Sequence, residues 1–128
     1  MNKTDKGRLG EDAVCAELLR RGHKIIARNF HKRIGEIDII SSFERFVVFT
    51  EVKAREISSL VSGLEAVNFT KQKKIVLTAD AWLSENPTDL QPRYDIAEVE
   101  FTRGELPRIV SVKIYEDAFS ADGIYTVN

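Results

Sequence analysis

One cysteine, one methionine, one tryptophan and three prolines stand in 128 residues. No apolar run approaches the roughly 20 residues that a membrane helix needs. The single cysteine, Cys15, excludes an intramolecular disulfide framework and any cysteine-built zinc site. Proline and glycine are too sparse for a linker, and neither a repeat nor a low-complexity tract interrupts the chain, so residues 1–128 read as a single domain. Behind Met1, the residues Asn2 to Gly7 include no apolar stretch of the kind that marks a secretory signal, and a cytoplasmic protein is expected. What is present is an ordinary globular mixture, 43% hydrophobic and 30% charged. At this length it suffices for a real core.

The net charge of −1 conceals an asymmetry. Residues 1–80 carry 15 Lys and Arg against 11 Asp and Glu, whereas residues 81–128 carry 4 against 9. A basic half of this kind suits a polyanion, although charges this small decorate solvated faces equally well.

Local patterns predict a helix from about Asp5 to Arg21, closed by Gly22, and a short strand over Lys24–Phe30. Two further strands, Gly35–Ser41 and Phe46–Ala54, lie close enough to form a hairpin. A second helix is predicted from about Lys71 to Leu83, N-capped by Thr70, with Ile75, Ala79, Trp82 and Leu83 on its buried face. Arg93–Thr102 and Arg108–Tyr115 then form another hairpin around Arg103-Gly104. The stretch from Arg55 to Phe69 shows no clean period and receives no assignment. The fold class is α/β, with a mixed sheet covered by helices.

The first hairpin carries the chemistry. A turn centred between Glu44 and Arg45 places Asp38 opposite Glu51 and Glu36 opposite Lys53. One face then holds Glu36, Asp38, Ile40, Phe49, Glu51 and Lys53. The other holds Ile37, Ile39, Val48, Thr50 and Val52, as a core face. Opposed carboxylates repel, and a hard divalent cation with oxygen preference, Mg²⁺ or Mn²⁺, relieves the repulsion. Lys53 beside such a pair is placed to orient or deprotonate an attacking water, or to stabilise charge on a phosphate. The plainer alternative is an edge hairpin whose exposed face pairs Glu36 with Lys53.

Asp38 followed by Glu51-Val52-Lys53 resembles the PD-(D/E)xK signature of restriction-endonuclease-like nucleases. A wider set is more specific: Gly7-Arg8-Leu9-Gly10-Glu11, Gly35-Glu36-Ile37-Asp38, Phe49 to Arg55, Leu64-Glu65-Ala66-Val67, Lys71-Gln72 and Arg93-Tyr94-Asp95. In that order it resembles the YraN-like family of small bacterial proteins, similar at a distance to archaeal Holliday junction resolvases. The resemblance runs from about Gly7 to Phe119. It implies a restriction-endonuclease-like mixed sheet flanked by helices. It further implies metal binding by Asp38, Glu51 and the main-chain carbonyl of Val52, catalysis by Lys53, and contributions from Glu11 on the first helix and Gln72 on the second. The PD half lacks its proline, since Ile37 precedes Asp38, and Thr50 replaces the usual aliphatic residue before Glu51.

The expected activity is metal-dependent endonucleolytic hydrolysis of DNA, with branched or junction DNA as the substrate class that the resemblance suggests. Two symmetric cuts would call for a homodimer. The alternative is a nucleic-acid-binding or adaptor module that keeps the fold without turnover. Candidate contacts to a nucleic-acid backbone are Arg8, Lys32, Arg33, Arg55, Lys71, Lys73 and Lys74, the last three crowding a helix start against the dipole preference. Arg20, Arg21 and Arg28 are further basic residues of the same half. Asp95 shares a strand face with Ala97, Val99 and Phe101 and reads as a half-buried structural carboxylate, with a role in the site as the alternative. Cys15 and Trp82 read as core residues, and His23 and His31 as too isolated to form a ligand pair.

Overall fold

A computed structural model describes residues 3–57 and 67–122. The elements run α1 (Lys3–Arg20), β1 (Lys24–Lys32), β2 (Gly35–Phe43), β3 (Phe46–Glu56), α2 (Phe69–Glu85), β4 (Gln91–Phe101) and β5 (Ile109–Phe119). All predicted elements are present, and most extend a few residues beyond their predicted ends. Leu64, Glu65 and Ala66, and most of the unassigned stretch, lie outside the described residues.

Helix α1 stops at Gly22, whose φ of +100° is open to glycine at no steric cost. The amides of Gly22 and His23 close the last turn on the carbonyls of Leu19 and Leu18. Helix α2 begins two residues earlier than expected, at Phe69. Asn68, not Thr70, is its N-cap, and the Asn68 side chain accepts the amide of Lys71 at 3.0 Å. Asn and Thr are both good caps, so the pattern alone does not choose between starts two residues apart. Asn68→Ala is expected to destabilise the protein by about 1 kcal/mol in chemical denaturation, while Thr70→Ala has a smaller effect.

The strand order is β1-β2-β3-β4-β5. Neighbours are antiparallel except β3 and β4, which are parallel, so α2 is the crossover between them. This five-stranded mixed sheet flanked by helices is compatible with a restriction-endonuclease-like fold. The hairpin β2–β3 therefore lies inside the sheet, not at an edge, and helices cover both of its faces. On one face Ile40, Val47 and Phe49 pack with Ile75, Val76, Ala79 and Trp82 of α2. On the other, Ile39, Ala97, Val99 and Phe101 pack with Val14, Cys15 and Leu18 of α1.

The β2–β3 register follows the predicted turn, from Phe43 opposite Phe46 to Ile39 opposite Thr50. Beyond it the strict alternation fails. Ile37 joins the α2-side cluster with Ile40, although the two are three residues apart and a regular strand would oppose them. At this irregularity the Asp38 carboxylate, rather than a backbone carbonyl, accepts the amide of Val52 at 2.8 Å. No helix among the described residues is long and apolar enough to cross a membrane.

Candidate active site

Two carboxylates stand within each other's field where β2 and β3 leave their regular ladder. Asp38 is 9% exposed and Glu51 6% exposed. Burial first, and then the charge of Glu51, push the Asp38 carboxyl up to about 7, and Glu11 and Glu36 add to the rise. The hydrogen bond from Val52 opposes it. In an extended strand the N–H and C=O of one residue point to the same side, so the carbonyl of Val52 also faces β2.

Glu51 is answered by two cations. Lys53 Nζ lies 3.3 Å and Lys71 Nζ 3.2 Å from the same oxygen, Oε1. Burial and the neighbouring amine of Lys71 hold Lys53 below the usual lysine range. Lys71 is raised instead: burial opposes its charge, but contact with Lys53 and the charge of Glu51 outweigh burial. The alternative pairing of Glu36 with Lys53 is not observed. Glu36 contacts His31 at 3.0 Å, because the antiparallel β1–β2 register places these two opposite each other.

Glu51 opens onto a cleft of about 470 Å³, lined by Gly35, Glu36, Asn68, Thr70, Lys71, Lys74 and Ile75. Gly35 forms one wall because a Cβ there would stand 3.2 Å from the Thr78 hydroxyl on α2. The cleft thus joins an acidic strand end to the basic start of a helix. Asn68 and Thr70 line the cleft because they start α2, and the helix start is the only mark the sequence gives them.

The other predicted residues are dispersed. Glu11 lines a separate cleft with Gly7, Arg8, Arg28 and Asn29, so it reaches Asp38 through its field rather than by sharing a cavity. There it lies 3.8 Å from Arg28, and burial raises its carboxyl. Arg8 is exposed on that second cleft. The Gln72 side chain turns back to the carbonyl of Val67 at 3.1 Å. Lys32 pairs with Glu85, and Arg55 with Glu98 and Glu100 at 3.2 and 3.3 Å. Lys73 and Lys74 are exposed on α2, and Arg33 is exposed in the β1–β2 turn. Asp95 is fully buried rather than half-buried, and it is held by Arg93 on the sheet face opposite Glu51.

Among the described residues, no three His, Cys, Asp or Glu side chains form a cluster ready to hold a metal. The donor chemistry nevertheless fits a hard divalent cation. Asp38, Glu51 and the Val52 carbonyl are all oxygen donors, and Asp38 bears the repulsion that a cation would remove.

Comparison with known proteins gives one consistent result. Residues 10–99 match the model of a family described as "Uncharacterised protein family UPF0102". A UPF0102 protein of Caldanaerobacter subterraneus subsp. tengcongensis is 42% identical over 100 residues, covering 77% of this chain and 82% of that one. A UPF0102 protein of Syntrophotalea carbinolica is 39% identical over 118 residues, covering 91% and 93%. One from Clostridioides difficile is 36% identical over 112 residues, covering 87% and 98%. With its family model matched across most of the sheet and relatives this similar over nearly their whole lengths, the chain belongs to the UPF0102 (YraN-like) family.

Proposed function

We propose that this protein is a Mg²⁺- or Mn²⁺-dependent endonuclease of the PD-(D/E)xK kind, cytoplasmic, acting on DNA, with branched or junction DNA as its preferred substrate and a homodimer as its working form. One observation carries the reading. Two nearly buried carboxylates from adjacent strands, Asp38 and Glu51, feel each other's charge, with Lys53 on Glu51 and Glu51 opening onto a cleft. A sheet has no structural need of that repulsive pair.

The cation would be held by Asp38, Glu51 and the Val52 carbonyl, and it supplies positive charge that polarises a phosphodiester. Lys53, with its ammonium form disfavoured by burial, has an amine suited to hold or take a proton from the attacking water at Nζ. Glu11 adds negative field from the neighbouring cleft, and Gln72 braces the start of α2 through Val67. Lys74 on the cleft wall, with Lys73 and Arg33 exposed on α2 and the β1–β2 turn, offers contacts to backbone phosphates, and Arg8 would add one from the second cleft. Lys32 and Arg55, both engaged by carboxylates, are weaker candidates for that task.

A second reading has its own support. Lys53 and Lys71 already neutralise Glu51, as a nucleic-acid-binding or adaptor module without turnover would require. Labelled single-stranded, duplex, flap and four-way-junction DNA, incubated with Mg²⁺ or Mn²⁺, separates the two. The nuclease reading expects cutting by the wild type and a loss of about 10²–10³-fold or more in Asp38→Asn. Binding that falls steeply with salt, ignores both metals and leaves every substrate intact would favour the module.

A further inference from the structure

We propose that Lys71 is an internal counter-ion which a divalent cation must displace from Glu51, so that this lysine competes with the metal for the site. The inference rests on the metal-dependent reading of Asp38 and Glu51 and adds a control on how that site loads.

The geometry supplies the competition. Glu51 is 6% exposed, and a carboxylate so buried needs its charge compensated. Both lysine ammoniums converge on one oxygen, Oε1, at 3.2 and 3.3 Å. Ammoniums held this close repel an incoming divalent cation, so lysine and metal compete for the charge of one carboxylate.

The two lysines are not equally free to leave. Lys53 sits two residues along the same strand, and its side chain is only 22% exposed. Lys71 belongs to another element, and its side chain is 43% exposed and lines the open cleft. Its amide is pinned by the Asn68 cap, so the backbone stays while the long side chain swings. A cation in the first turn also opposes the helix dipole, and that turn holds no acidic residue to compensate. Glu51 is therefore the contact that retains the Lys71 ammonium on the site. Once the carboxylate is satisfied by a divalent cation, the ammonium moves into the cleft beside Thr70 and Lys74.

Mn²⁺ binding by the full chain, followed by calorimetry without nucleic acid, tests this. The proteins compared are wild type, Lys71→Met, Lys74→Met and Asp38→Asn. Lys74 lines the same cleft from the same helix, so its loss controls for the general removal of positive charge. Lys71→Met is expected to bind Mn²⁺ about five-fold more tightly than wild type, the upper range for releasing a partly exposed ion pair. Lys74→Met is expected to stay within about twofold. Equal or weaker binding by Lys71→Met would overturn the inference, as would an equal gain from Lys74→Met, and in either case the metal site itself would stand. The metal reading fails separately, and takes this inference with it, if wild type shows no Mn²⁺ binding that Asp38→Asn removes.

Discussion

Asp38→Asn is expected to make the metal-free protein more stable at pH 8, although it removes a charged residue from the centre of the candidate site. The Asp38 carboxyl stands at about 7 in the folded chain against an ordinary value of 3.8, pushed up by burial and by the charge of Glu51. The folded state therefore favours the protonated form. Below the ordinary value both states are protonated, and the contribution of this group to stability is fully present. As the pH rises from about 4 to 7 the unfolded chain ionises first, and that contribution is lost. A shift of this size corresponds to roughly 2–4 kcal/mol. Asparagine stays neutral across the range and still offers an oxygen to the amide of Val52.

Denaturation in the presence of EDTA at pH 5 and pH 8 measures the effect. Between pH 5 and pH 8 only the last two units or so of that shift are lost, so relative to the variant wild type is expected to lose about 2–3 kcal/mol. Mn²⁺ should restore wild type at pH 8 and leave the variant unchanged, because the cation does for the ionised pair what the proton does at low pH. Parallel pH profiles for the two proteins would show that Asp38 is not strained by its neighbour, and the electrostatic argument for a metal would lose its basis.

Arg93→Ala is expected to cost about 3–5 kcal/mol, the largest loss of stability from any single polar side chain considered. Asp95 is fully buried, and the Arg93 guanidinium grips both of its oxygens, Nε to Oδ1 at 3.0 Å and Nη2 to Oδ2 at 2.8 Å. The same Oδ1 accepts the amide of Asp117 at 2.9 Å. That amide is free because the β4–β5 register shifts between Tyr94 and Ile96, and Asp117 adopts a φ of 52° there. The guanidinium also lies 5.0 Å from the Phe46 ring centre. Removing the arginine leaves a buried carboxylate with one amide donor and no counter-charge.

For a domain of this size the melting temperature should fall by about 10–20 °C. Asp95→Asn should cost less than Arg93→Ala, because it keeps the acceptor for Asp117 and leaves the Arg93 guanidinium with Glu116 at 3.9 Å and the Phe46 ring. The pair lies on the sheet face opposite Glu51, so Mn²⁺ affinity measured on folded Arg93→Ala should match wild type. A large loss of affinity there would assign Arg93 and Asp95 to the site instead.

Much of this protein is decided locally, and that part is legible in the residues. The register of the β2–β3 hairpin follows from its turn, since pairing is a matter of counting outward from Glu44 and Arg45. The end of α1 is written in Gly22, and the burial of Cys15 and Trp82 in the helical period. The adjacency of Asp38, Glu51 and Lys53 is likewise a hairpin property, so the centre of the candidate site was readable. Alternation puts Ile37 on the wrong face because it assumes a regular strand, and the irregularity at Asp38 has no one-letter signature.

What remained depended on where distant elements lie. Only the parallel pairing of β3 with β4 makes α2 a crossover, and only that crossover brings Lys71 onto Glu51. The position of α1 on the opposite face assigns Glu11 to its own cleft with Arg8 and Arg28. The same packing turns Asp95 from a half-exposed carboxylate into the buried anchor of Arg93. Periodicity tells which side of its own element a residue faces. What stands opposite that side is set by the packing of helices on the sheet, where contacts far apart in sequence offset the entropy of closing the chain.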